Sequence, residues 1–321
     1  MNRTRILILI LLSFFLLFSC EKNEDVSKDI YNVSLENVDA KGNYSFGRLL
    51  AEDADSNGIT VSGGYFAKGV YDSQTPDALM FSVEEMNEIL GEYQKEVIAS
   101  GKKGEVGKEY QNREEIEKLD KPSNLQDKLS YVWGYANSPE MYTGSIGVDI
   151  DAFVAGYLSY LYGKESLLSE EEIEDSFTSW QNEINEIYQE EYAKRAEKNL
   201  EDAKAFLEKN KKKDGVIVFD SGLQLEKTVE VEEGGTPEPD DEIVVDYRLS
   251  LLDGSVADQG NDVTFKANSL IPGFVEAVEN MKVGESAIAY IHPDLGYGSS
   301  DLGNIGPNSL LIFEITLKGI K

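Results

Sequence analysis

Two side chains that commonly do covalent chemistry occur once each in this 321-residue sequence, His292 and Cys20. His292 opens the stretch His-Pro-Asp-Leu-Gly-Tyr-Gly (292–298), five residues ahead of Tyr297. That spacing suits either a base with partners or a turn that presents a tyrosine. A histidine base needs a nucleophile or an orienting group aligned with it, and no second histidine or spare cysteine is there to supply one. His292 therefore reads as an ordinary strand-end residue. Gly296 and Gly298 allow a bend that most residues would resist, which leaves Tyr297 exposed at a rim.

The chain begins like an export signal. Arg3 and Arg5 precede an apolar run from Ile6 to Phe18, and Leu17-Phe18-Ser19-Cys20 closes it. The run is short of the roughly 20 apolar residues that span a bilayer. The closing residues resemble the lipobox of bacterial lipoproteins, in which the cysteine is lipidated and becomes the first mature residue. Residues 1–19 then form the signal peptide and Cys20 the lipid site. With its only cysteine so used, the exported chain keeps no thiol for a disulfide, metal or nucleophile. Residues 20–42 are polar and acidic and read as a flexible tether. Glu21, Glu24 and Asp25 form an acidic cluster in it, for which solvation is a sufficient account.

Sixty acidic side chains against thirty basic ones give a net charge of -30. Such a surface repels phosphate backbones, so no nucleic-acid partner is expected.

The body contains a duplication. Displacing the sequence by 87 positions sets Tyr44 on Tyr131, Gly47 on Gly134, Phe66 on Phe153, Gly69 on Gly156, Ser82 on Ser169, Glu84 on Glu171 and Glu85 on Glu172. Similar residues fall in the same frame, among them Phe81 with Leu168, Met86 with Ile173, Tyr93 with Trp180 and Val97 with Ile184. Ser82-Val83-Glu84-Glu85 and Ser169-Glu170-Glu171-Glu172 each form a capping box, with serine as N-cap and glutamate three residues on. In the second copy Ile173, Phe177, Trp180, Ile184 and Ile187 make one apolar stripe. Helical character continues to Lys211-Lys212-Lys213, a rod of about 60 Å at about 1.5 Å per residue. The aromatic residues on it read as core or interface.

After Gly215 the period changes to two. Val245, Tyr247, Leu249 and Leu251 alternate with Asp246, Arg248 and Ser250, and Leu311, Phe313, Ile315 and Leu317 alternate with Ile312, Glu314 and Thr316. One short helix carries Phe274, Val278 and Met281 on a single face. The expectation is five or so antiparallel strands wrapping one helix, an α+β half-barrel following an all-α region.

The ordered set Gly222-Leu223-Gln224, Val244-Val245-Asp246-Tyr247, Asp253-Gly254, Leu270-Ile271-Pro272-Gly273-Phe274, Met281-Lys282-Val283-Gly284-Glu285, Pro293 to Gly298 and Gly306-Pro307-Asn308 resembles the FKBP-type peptidyl-prolyl isomerase domain. Leu129 to Tyr135, Asp151 to Gly156 and Leu167 to Glu172 resemble the helical N-terminal domain of its macrophage infectivity potentiator branch. The implied layout is a first helical repeat at 43–100, a second with the long helix at 127–213, and the isomerase domain at 214–321.

The resemblance implies rotation of X-Pro bonds with no cofactor and no metal. It assigns the pocket to Tyr247, Asp258, Ile271, Phe274, Tyr297 and Phe313, bordered by Val263, Phe265, Leu270, Ala257 and Ile305. Phe274 would be the floor, the Ile271 N–H would take a substrate carbonyl, Tyr297 would donate over the amide, and Asp258 would orient the rim with Tyr247. Two departures bear on activity. Ala257 stands where the family usually has a phenylalanine wall, and Asn304 and Gly306 stand where an isoleucine and a proline are common.

The expected function is a lipid-anchored folding helper in the bacterial envelope, facing the periplasm or the surface, with proline-containing polypeptides as clients. The alternative is a chaperone or scaffold of the same fold with weak or no catalysis. Helical domains of this branch dimerise between chains, so two copies in one chain imply a monomer with an internal pseudo-dimer, a homodimer being the alternative.

Overall fold

The computed structural model describes residues 29–93, 95, 104–143 and 146–321. The signal segment, Cys20, the acidic cluster behind it and the end of the first repeat at 96–100, with Val97, lie outside them. The described chain divides into two compact units, 29–187 and 188–321.

The first unit is helical. In chain order it comprises α1 (Val38–Ser56), α2 (Gly63–Asp72), α3 (Val83–Tyr93), α4 (Arg113–Glu117), α5 (Leu125–Ala136), α6 (Pro139–Thr143), α7 (Ile150–Leu161) and the first part of α8 (Glu170–Asn210). The sequence expectation for 20–42 needs correction, because α1 starts at Val38 and Ile30 is buried, its N–H bonded to the Gln111 carbonyl. Polarity there reflects a cap: the Asn37 side chain accepts the Ala40 N–H, as Asn124, 87 positions later, accepts the Asp127 N–H.

The two copies exchange partners. α1 packs on α7 and α2 on α5, so each first helix pairs with the second helix of the other copy. Glycines make the approach close enough for backbones to touch. A Cβ on Gly47 would lie 2.1 Å from the Phe153 carbonyl oxygen, and one on Gly134 would lie 1.9 Å from that of Phe66. Gly69 faces the Tyr131 oxygen and Gly156 the Tyr44 oxygen, each at 2.0 Å. Phe66 and Tyr157 stack across the crossing at 3.6 Å between ring centroids.

Hydroxyls repeat the relation: Tyr131 accepts the Met80 N–H and Tyr44 accepts the Leu167 N–H, each at 3.0 Å. Both capping boxes form, Ser82 with Glu85 and Ser169 with Glu172. The serine backbone N–H holds each glutamate below its ordinary range. The stripe of α8 covers α1, where Trp180 lies over Gly42 and Phe177 stacks on Phe46.

The second unit is a six-stranded antiparallel sheet of β1 (Val216–Val218), β2 (Gln224–Val229), β3 (Glu242–Ser250), β4 (Val256–Lys266), β5 (Ser286–Ile291) and β6 (Leu311–Ile320), in the order β1-β2-β5-β6-β3-β4. Leu311, Phe313, Ile315 and Leu317 of β6 face the core, as do Val245 and Leu249 of β3. Against that face lies α9 (Pro272–Glu279), which buries Phe274, Ala277 and Val278. Proline at its first position suits a helix start.

Between the Val245–Val263 and Tyr247–Gly260 pairs β4 carries one extra residue, with Asp262 at φ 53°. That bulge re-aims the strand beside Tyr247. The tail of α8 from Tyr188 on clusters with this sheet, so the unit begins earlier than the residue 214 read from the change of period. Ala203 and Leu207 pack with Tyr290 and Leu310, and the Asn210 amide donates to Gln224 at 3.0 Å.

Candidate functional site

Where β3, β4, β6 and α9 of the second unit meet, aromatic rings cluster. Phe274 from α9 and Phe313 from β6 meet edge to face, with centroids 5.0 Å apart and planes at 82°. Tyr247 from β3 lies 6.3 Å from Phe313 and 5.7 Å from Phe265. Such tilted contacts suit ring quadrupoles and hold each ring in place. Leu270, Ile271 and Ala257 pack as half-buried neighbours on the same cluster. Val263 reaches the group through Gly260, whose added Cβ would lie 2.6 Å from Val263 and 2.9 Å from Tyr247.

One polar pair belongs to this cluster. The Tyr247 hydroxyl donates to Asp258 at 2.8 Å, while the other Asp258 oxygen accepts the Gln259 N–H. Burial, then the bond to Asp258, then the Tyr297 hydroxyl push the Tyr247 phenol up to about 12. It is therefore a protonated donor at neutral pH. Tyr297 is 37% exposed, its backbone flanked by Gly296 against Leu311 and Gly298 at φ 58°. Only glycine tolerates both demands without strain. Ile271 is the N-cap of α9, and no hydrogen bond among the described residues takes its N–H.

Ile305 belongs to the same buried cluster as Phe274 and Phe313, at 6% exposure against their 3% and 5%. Ala257 contributes a small side chain, and its carbonyl accepts the Asn304 amide at 2.8 Å. His292 is a helix cap: it ends β5, and its Nδ1 accepts the Asp294 N–H at 3.2 Å. Among the described residues no group of three His, Cys, Asp or Glu side chains stands close enough to hold a metal ion.

Sequence reasoning missed the ties on the loop that follows Tyr297. Tyr192, Arg195 and Asn199 of α8 bond to the loop that follows Tyr297. Their spacing of three and four was the available signal, but a polar stripe on an acidic helix reads as solvent-facing.

Residues 233–318 match the family described as FKBP-type peptidyl-prolyl cis-trans isomerase, and residues 126–226 match the domain amino terminal to it. The first helical copy lies before both ranges. Outer membrane protein MIP of Legionella longbeachae is 34% identical over 61% of this chain and 86% of its own length. Peptidyl-prolyl cis-trans isomerase Mip of Coxiella burnetii is also 34% identical, over 61% of this chain and 87% of its own. The crystal structure of FkpA from Escherichia coli, at 32% identity, covers 57% of this chain and 86% of that chain with a TM-score of 0.47. Two matched regions in this order, and relatives followed over most of their length, place the chain in the FKBP-type peptidyl-prolyl cis-trans isomerase family.

Proposed function

We propose that the aromatic hollow of the second unit rotates X-Pro bonds in exported polypeptides, with Tyr247, Asp258, Ile271, Phe274, Tyr297 and Phe313 as its working residues. Rotation must cross a barrier of roughly 18–20 kcal/mol, because twisting the C–N bond ends amide resonance. No bond is made or broken, so the site needs only to prefer the twisted form. Each ~1.4 kcal/mol of that preference is worth tenfold in rate.

The planar amide is the more dipolar form, and walls of Phe265, Phe274 and Phe313 solvate it poorly. The Ile271 N–H, which no acceptor among the described residues takes, donates to a substrate carbonyl. Tyr297, exposed between its two glycines, donates where the twisted carbonyl comes to lie. Asp258 acts by fixing the Tyr247 hydroxyl. The observation that carries this reading is the Tyr247–Asp258 bond of 2.8 Å above the crossed rings of Phe274 and Phe313.

A proline-containing tetrapeptide assay tests it. Asp258→Ala and Phe274→Ala are expected to lower kcat/KM about tenfold or more, and Tyr297→Phe roughly threefold to tenfold. A rate equal to the uncatalysed one, unmoved by these changes, leaves the second reading, a non-catalytic chaperone. The half-buried Ala257 favours that second reading, since it removes apolar wall where the family has phenylalanine.

Two finer assignments belong to the same reading. The signal-like start with Cys20 and the name of the Legionella relative support a lipid-anchored protein of the bacterial envelope. The exchanged helix pairs support a monomer whose two copies satisfy each other; light scattering showing a dimer mass overturns that assignment.

A further inference from the structure

The loop from Ser299 to Ser309 follows Tyr297 and carries Ile305 into the core. It contains little regular structure, yet both of its sides are tied. On one side Asn304 donates to the Ala257 carbonyl of β4. On the other, one stripe of α8 reaches it over about two turns. Tyr192 donates to the Ser299 carbonyl, and Arg195 pairs with Asp301, whose side chain is 15% exposed. Asn199 donates to the Pro307 carbonyl at 2.8 Å, and Asn308, at φ 54°, returns a bond to the Ala196 carbonyl at 3.3 Å.

The two departures from the family pattern sit at these ties. Asn304 supplies the amide that spans to β4. Gly306 leaves the room into which α8 comes: a Cβ there would lie 3.3 Å from Asn199 Nδ2 and 3.6 Å from Arg195 Cδ. A proline at 306 would put its ring against the helix.

We propose that the Tyr192–Asn199 segment of α8 is a positioning element for the isomerase hollow, holding loop 299–309 so that Tyr297 and Ile305 stay in place for an X-Pro segment. Arg195 and Asn199 act through the loop and touch no substrate. The inference rests on the function proposed above for the same hollow. It also gives Asn304 and Gly306 a purpose: the first spans to β4, and the second leaves room for α8.

The test uses the full chain with Arg195→Asp, Asn199→Ala, and the exchanged pair Arg195→Asp with Asp301→Arg. All three positions border solvent, so the unit is expected to keep its melting temperature. Hydrogen exchange of peptides covering 299–309 is expected to speed up about tenfold in Arg195→Asp and to return most of the way in the exchanged pair. With a proline-containing tetrapeptide, KM is expected to rise about fivefold in the single variants while kcat stays within about twofold. Unchanged exchange in the loop overturns the proposal whatever the activity. Faster exchange with KM unmoved in an active enzyme overturns it too, since the tie would then be structural alone. A wild-type rate equal to the uncatalysed one sinks the catalytic reading, and the exchange result alone then decides whether α8 holds the loop.

Discussion

The two copies of the helical repeat share a backbone and differ in what they do with one buried corner. In the first copy the corner holds Lys68 and Asp72, an ion pair of 2.6 Å with both side chains nearly closed to solvent, and Tyr131 adds its hydroxyl to Asp72 at 2.9 Å. In the second copy the equivalent positions, 87 residues on, are Ala155 and Ser159. There Tyr44 meets Ser159 at 3.3 Å, Arg48 donates to the same hydroxyl at 2.8 Å, and a hollow of about 250 Å³ remains beside Ala155 and Leu167. The backbone crossings are alike to within a few tenths of an ångström, while the polar filling diverged. Close approach of main chains constrains a duplicated sequence more tightly than does the chemistry that fills a gap.

The comparison breaks most readily at the glycines. Gly69→Ala and Gly156→Ala each set a Cβ 2.0 Å from a carbonyl oxygen. Alanine favours a helix interior by only about 1 kcal/mol over glycine, against an overpacking cost of about 3 kcal/mol or more. Denaturant unfolding of the helical unit is expected to show similar losses for both variants, with isomerase kinetics unaltered. Markedly unequal losses would mean that the two crossings are not equivalent.

Lys68→Ala comes next, with a loss of about 3 kcal/mol, because it strands the Asp72 carboxylate. The double change to Lys68→Ala with Asp72→Ser installs the filling of the second copy and is expected to recover at least half of that. If the double variant is as unstable as the single one, the two corners are not interchangeable.

Filling the second corner has a smaller and opposite effect. Ala155→Leu extends into the hollow and is expected to gain about 1 kcal/mol from buried methyl groups, read in the same unfolding experiment.

The smallest effect is on titration. Burial chiefly, with Asp72 adding to it, raises the Tyr131 phenol well beyond the ordinary tyrosine range, although the Met80 N–H opposes the shift. A folded value above the unfolded one contributes stability fully below about pH 10 and loses it as pH rises toward the folded value. Asp72→Ser is expected to lower the Tyr131 transition by less than one pH unit, followed by ring resonances in alkaline solution.

Much of this architecture was legible before any coordinates. The capping boxes, the stripe from Ile173 to Ile184 and the alternation in β3 and β6 each state one local preference that packing then obeyed. The pocket residues Tyr247, Phe265, Phe274 and Phe313 could be named only through the order of motifs around them, because aromatic residues on alternating strands otherwise look like plain core. What stayed hidden were contacts whose partners are far apart in sequence. Lys68 and Asp72 look like any exposed i, i+4 pair, and nothing local shows that α5 covers them. Tyr192, Arg195 and Asn199 look solvated for the same reason.

The exchanged helix pairs also bear on the order in which the chain can become structured. α1 and α2 make their close backbone crossings with α7 and α5, so among the described residues the packing of the first copy is complete only once residue 161 is available. Helical proteins usually gain speed from contacts between near neighbours. This helical unit instead joins helices far apart in the chain, α1 with α7, so its packing is complete only when the second copy is present.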